Sequence, residues 1–151
     1  MRQLKQKVYE LLGIPDEDES LARILDIPPR QAVNPLFSFI QHSDDSIKWR
    51  AVRAMGHVVN KMAQEDIESA RVVMRRLMWS LNDESGGIGW GAPEAMGEIM
   101  AHNSRLAGEY HHMLLSYVDE KGNYLEYEPL RRGALWAIAR VRDSLPGISR
   151  Q

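Results

Sequence analysis

The stretch IGWGAPEAMGEI, residues 88–99, admits two incompatible readings, and the choice between them decides the fold. Gly87, Gly89 and Ala92 have the G-x-G-x-x-A spacing of a dinucleotide-binding turn. That turn needs a strand before the glycines and an acidic residue after a second strand about 20 residues on. The preceding VVMRRLMWSL, residues 72–81, has helical periodicity instead, and Glu109 falls in another helical segment. The stretch therefore reads as the opening of a helix. Pro93 fits its first turn, where the N–H that proline lacks would have no partner.

Working outward, the same pattern recurs on both sides. IKWRAVRAMGHV from Ile47, IGWGAPEAMGEI from Ile88 and LRRGALWAIARV from Leu130 align on Ala51, Ala92 and Ala134 and again on Ala54, Ala95 and Ala137. Each is preceded by an apolar helical segment and an acidic turn: LFSFIQHSDD, RRLMWSLNDES and HHMLLSYVDEKGN. Alanines three apart lie on one helix face, and their small size lets neighbouring helices approach closely. A helix–turn–helix unit of about 40 residues is the period of HEAT and armadillo arrays.

Apolar spacing predicts helices over Leu4–Leu12, Leu21–Leu25, Ala32–Ile40, Ile47–Met62, Asp66–Leu81, Trp90–Met100, Ser104–Val118 and Glu128–Arg142. GIPDEDES and DIPP are breaks, and Ser20 or Asp18 caps the second helix. The class is all-α, with no segment alternating at period two. One domain spans 1–151: an N-terminal helical cap at 1–28, repeats at 29–63, 65–102 and 104–143, and a tail at 144–151. Stacked units share a core that no single unit can build, and end units need polar caps. The last repeat has no such cap, which leaves self-association through the C-terminal repeat open.

The units resemble the pattern L-x-D-x-D-x-x-V-R-x-x-A-x-x-A-L-G of short HEAT-like repeats, of the kind also named after phycobilisome lyases. Ile40, Asp44, Ile47, Lys48, Ala51, Ala54, Met55 and Gly56 fill it in the first unit. Leu81, Asp83, Ile88, Ala92, Ala95, Met96 and Gly97 do so in the second, and Leu130, Arg131, Ala134, Ala137 and Ile138 in the third. Gly89 replaces the basic residue of the pattern and Ala139 its glycine. The resemblance covers roughly Ala32 to Val141. It implies a right-handed α-solenoid of about three helical hairpins, with the second helix of each lining a concave face.

Off the alanine face, register groups Trp49, Trp90 and Arg132; Arg53, Glu94 and Trp136; and His57, Glu98 and Arg140. Side by side these nine form a grid of aromatic and mixed-sign charged residues, and tryptophan and arginine are enriched in binding hot spots. The grid is the expected contact surface for another protein. A second expectation is a small-ligand or cofactor-handling enzyme of the bilin-lyase type. There Gly89 and Gly91 admit a ligand to the free N–H groups of the helix start, Trp90 forms a wall, and Asp83 and Glu84 form the rim. Packing of the tryptophans between repeats, and a plain turn role for the glycines, are the structural alternatives.

Composition removes other classes. Nineteen Lys and Arg against 21 Asp and Glu give a net charge of −2, which supplies no global field toward nucleic acid or an anionic membrane. The absence of cysteine excludes disulfides, thiolate nucleophiles and thiolate-bound metals, and fits a reducing compartment. No apolar run reaches the length of a membrane span and the N-terminus lacks an apolar leader core, so a cytoplasmic protein is expected. His111 and His112 are adjacent and diverge by about 100° on a helix, a poor chelate. Glu98 and His102 have i, i+4 spacing but no third ligand is evident, so neither metal nor cofactor is expected. The resemblance also raises di-iron hydroxylases, whose His-Glu dipeptides are missing, and DNA glycosylases, whose basic face differs from this mixed grid.

Overall fold

Each helix after the first starts where the chain supplies a partner for the N–H groups left over at a helix end, or removes one of them. The computed structural model describes residues 2–82 and 89–148. Among them are α1 (Arg2–Leu12), α2 (Glu17–Leu25), α3 (Pro29–Phe39), α4 (Asp45–Glu65), α5 (Ile67–Ser80), α6 (Ala92–His102), α7 (Ser104–Ser116) and α8 (Glu128–Ser144), with no strand. The all-α class and all eight expected helices are present. The cap of α2 is Asp16, two residues before Asp18 and four before Ser20, the expected caps, its carboxylate accepting from the Asp18 and Glu19 N–H groups. Ser20 does other work, donating to the Leu11 carbonyl at 2.7 Å and tying α2 to α1. The DIPP break is itself a start, because Pro29 takes the first position of α3.

The junctions between successive hairpins are single residues. Asp66 ends α4 and caps α5, accepting from the Glu68 N–H at 3.1 Å, while Asn103 ends α6 and caps α7, accepting from the Leu106 N–H at 2.9 Å. Both have extended backbone. The amide of Asn103 also donates to Asn60 on α4 at 3.1 Å, joining one junction to the preceding hairpin.

The even-numbered helices are in continuous contact, α2 on α4, α4 on α6 and α6 on α8. The helices α3, α5 and α7 pack on α4, α6 and α8 respectively, and α5 and α7 also touch the even-numbered helix before them. At the centre, every residue of α6 from Ala92 to Met100 is buried. Small residues make that possible. A Cβ added at Gly97 would lie 2.5 Å from the Cβ of Ala137 on α8, and one at Gly56 would lie 2.9 Å from the Cβ of Glu98. Met55, Met74, Leu77, Met96, Ile99, Met100, Leu106 and Leu114 are fully buried around this contact. Each such side chain contributes about 1.5–3 kcal/mol on removal from water. No helix among the described residues is long and apolar enough to cross a membrane.

Candidate functional site

Two carboxylates stand one turn apart on the most enclosed helix. Glu94 and Glu98 of α6 are only 5% and 6% exposed, so each needs a compensating cation. Glu94 finds Lys48 of α4, with Nζ 2.8 Å from Oε2. Its Oε1 has no hydrogen-bond partner among the described residues and presses on the backbone of α8, where a Cβ at Gly133 would sit 2.5 Å away. Glu98 accepts from Arg140 Nε of α8 at 2.6 Å, and its other oxygen lies 3.2 Å from His102 Nε2. Burial pushes the Glu98 carboxyl up, but the hydrogen bonds from His102 and Arg140 outweigh it and hold the group below its ordinary value.

Above these acids lies an aromatic and basic layer. Trp49 of α4 and Trp136 of α8 meet edge to face with ring centres 4.7 Å apart, each still 37% exposed. Because α6 lies between their helices, the two indoles bridge it. Lys48 also lies 5.1 Å from the centre of the Trp49 ring. One turn further along α4, Arg53 pairs with Glu17 at 3.2 Å and Asp18 at 3.0 Å on α2. His57 follows, its ring centre 4.1 Å from that of His102. Burial first, then the neighbouring charges of His102 and Arg53, push the His57 pKa down and favour the neutral ring.

The grid expected from register is thus assembled in part. Trp49 meets Trp136, Arg140 reaches Glu98, and His57 stands beside the Glu98–His102 pair. Glu94 and Glu98 are not surface charges, however. The small neighbours that let α6 sink between α4 and α8 carry both acids inward, and the exposed carboxylates of the layer come instead from α2, where Glu17 and Asp18 pair with Arg53. Trp90 leaves the row and packs edge-on to Tyr127 at 5.7 Å, and Arg132 makes an exposed pair with Glu128 at 3.5 Å.

At the helix start, Gly89 and Gly91 have φ of +69° and +78°, a region glycine enters freely. The space a side chain would take at Gly91 is filled by the Ile40 carbonyl, and at Gly89 by Leu81 and the Ser80 carbonyl. The close approach these glycines permit is therefore made by the chain's own backbone and the Leu81 side chain. Asp83 and Glu84, the expected rim, lie outside the described residues. A cleft of about 330 Å³ does adjoin Trp90, between it, Lys48 and the 40–45 turn. Sequence reasoning missed Lys48 and Gly133 as parts of the site. The one available signal was that Lys48 occupies a basic position of the repeat pattern. The Glu98–His102 spacing is a hydrogen bond here, and no group of three or more ligating side chains stands together among the described residues.

These features define an all-helical protein with a partly exposed indole pair set over buried, cation-matched carboxylates. No family model matches the chain, and no solved structure matches it. A protein from Archaeoglobus fulgidus, described as an uncharacterized protein, is 30% identical over 115 residues, covering 74% of this chain and 56% of the relative. The chain thus spans little more than half the length of the relative it matches.

Proposed function

We propose that this chain is a protein-interaction module, a right-handed solenoid of HEAT-like hairpins that receives another protein, in the cytoplasm, on the concave face of α2, α4, α6 and α8. The observation that carries the reading is the Trp49–Trp136 pair. Two indoles held edge to face beside a helix that is buried from Ala92 to Met100 keep about a third of their surface in water, with Lys48 against the Trp49 ring. Preorganised aromatic residues of this kind supply much of the energy of protein interfaces, because little side-chain freedom is lost when they are covered.

The test is affinity capture from cell extract with the wild type and with Trp49→Ala/Trp136→Ala. Loss of a hot-spot pair costs at least about 2 kcal/mol, or roughly thirtyfold in affinity. The captured proteins should disappear while the circular dichroism of the helices stays unchanged. An identical captured set from the folded double variant sinks the proposal. A second reading, a small-ligand enzyme of the bilin-lyase type, is favoured only by the cleft between Trp90 and Lys48. Thermal-shift screening separates the two, since a ligand seated there stabilises the fold without any partner.

A further inference from the structure

We propose that copies of this chain associate head to tail, the exposed ridge of α1 in one copy seating in the groove that α5, α7 and the 117–127 turn form in the next. None of these residues belongs to the tryptophan face, so the proposal stands apart from the interaction reading above.

The groove follows from the helix phases. On α5 the core takes Ala70, Val73, Met74 and Leu77, and Trp79 falls about 200° round from Leu77, where it stays 61% exposed. Tyr124 and Tyr127 line the same groove of about 820 Å³, and Tyr127 is 52% exposed. The turn that carries them is held in shape. The Leu125 N–H donates to the Tyr117 carbonyl at 2.9 Å, and Arg131 donates to the Leu125 and Glu126 carbonyls at 2.9 and 3.3 Å. A groove fixed in this way loses little freedom when it is filled, and exposed aromatic surface rimmed by polar side chains marks a protein contact.

Charge selects the occupant. Glu120 and Glu126 line the groove, are exposed, and have no ion-pair partner among the described residues. Arg75, the cation among its walls, is matched by Glu68 at 2.6 Å. Unmatched carboxylates beside aromatic rings favour a cation, which the acids attract and the ring faces receive. Arg131, which is not one of the walls, already stands over the Tyr124 ring at 4.9 Å.

The chain carries the complement at the other end of its helix row, where α1 packs on α2, α3 and α4. Arg2, Lys5, Gln6 and Tyr9 fall at i, i+3, i+4 and i+7 on one face of α1, and all are exposed because Val8, Leu11 and Leu12 take the core side. Neither Arg2 nor Lys5 has an ion-pair partner among the described residues, and Glu10 accepts from Gln6 at 3.3 Å instead of from a cation. Ridge and groove are thus unmatched surfaces of opposite sign. Because they are different surfaces, each contact leaves one of each free, and association continues into longer assemblies.

Sedimentation velocity from about 10 µM to about 1 mM covers the range of weak association. The wild-type sedimentation coefficient should rise with concentration, and rise less as salt is added. Arg2→Glu/Lys5→Glu and Glu120→Lys/Glu126→Lys should each sediment as monomers with unchanged helicity, since these side chains are exposed. Mixing the two variants should restore association, because the intact ridge of one meets the intact groove of the other. Trp79→Ala should weaken the wild-type association about tenfold. A wild type that stays monomeric overturns the proposal, as does a reversed variant that associates like the wild type or a mixture that stays monomeric. Should a reversed variant fail to fold, Trp79→Ala and Tyr9→Ser decide, and undiminished association in both overturns the proposal. A monomeric wild type that binds a labelled peptide of alternating Lys and Leu, through Glu120 and Glu126, gives the groove to a foreign basic segment and overturns it too.

Discussion

Gly97→Ala sets two physical effects of opposite sign against each other. Alanine is favoured over glycine inside a helix by about 1 kcal/mol, so propensity alone predicts a more stable protein. At Gly97, however, the new Cβ would stand 2.5 Å from Ala137 Cβ and 2.7 Å from its Cα, atoms that no rotamer change can move. Ordinary carbon contact is near 3.5–4.0 Å, so α6 and α8 must separate by about 1 Å. That shift acts on a fully buried interface and stretches the Glu98–Arg140 bond that crosses it. Overpacking costs about 1–3 kcal/mol at ordinary core sites, and backbone displacement puts this site at the upper end. After the propensity gain, a net loss of about 2 kcal/mol remains, or roughly 4–8 °C in melting temperature for a chain of this length. Gly108 on α7 is the control, because nothing lies within 4 Å of its added Cβ. Gly108→Ala should stabilise by about 1 kcal/mol. Both are read by thermal and urea unfolding followed by circular dichroism. Equal stabilisation by the two alanines would refute the close contact of α6 with α8.

Lys48→Met should cost about 3–5 kcal/mol by leaving Glu94 buried and unpaired, whereas Lys48→Met/Glu94→Met should come back close to wild type, a double-mutant cycle read by urea unfolding. Stability should fall on acidification below about pH 6.5, because His57, and His111 likewise, are held neutral in the fold, chiefly by burial. Their contribution is complete above the unfolded histidine pKa and is lost as pH drops through the lowered folded values. His57→Gln should therefore flatten the melting temperature between about pH 7 and pH 5, and an unchanged slope would exclude His57 as a source. Gly91→Val should fail to fold or melt far below wild type, since a β-branched residue at φ +78° also meets the Ile40 carbonyl.

The helices were legible because their apolar spacing and their punctuation agree: Asp66, Asn103, Pro93 and the recurrent alanines each do locally what the fold asks. Helix starts read less well where two signals compete, as with Asp16 against Ser20, since a serine in an acidic turn looks like a cap whether or not another helix claims its hydroxyl. The burial of Glu94 and Glu98 was not legible. A carboxylate on a helix reads as surface unless the cation that meets it is known, and Lys48 and Arg140 arrive from other helices across more than forty positions of sequence. Gly133 was hidden for the same reason, because its role is to leave room for a side chain of a different helix.

The one-residue junctions at Asp66 and Asn103 bear on how such a chain tolerates insertion and deletion. A residue that closes one helix and opens the next leaves no slack, so adding another there changes the phase of everything downstream by about 100°, as a slipped tooth does in a gear train. The longer turn of residues 117–127 can absorb the same insertion locally. Length variation among related chains should therefore collect inside hairpins and spare the joints between them, which act as the timing marks of the molecule.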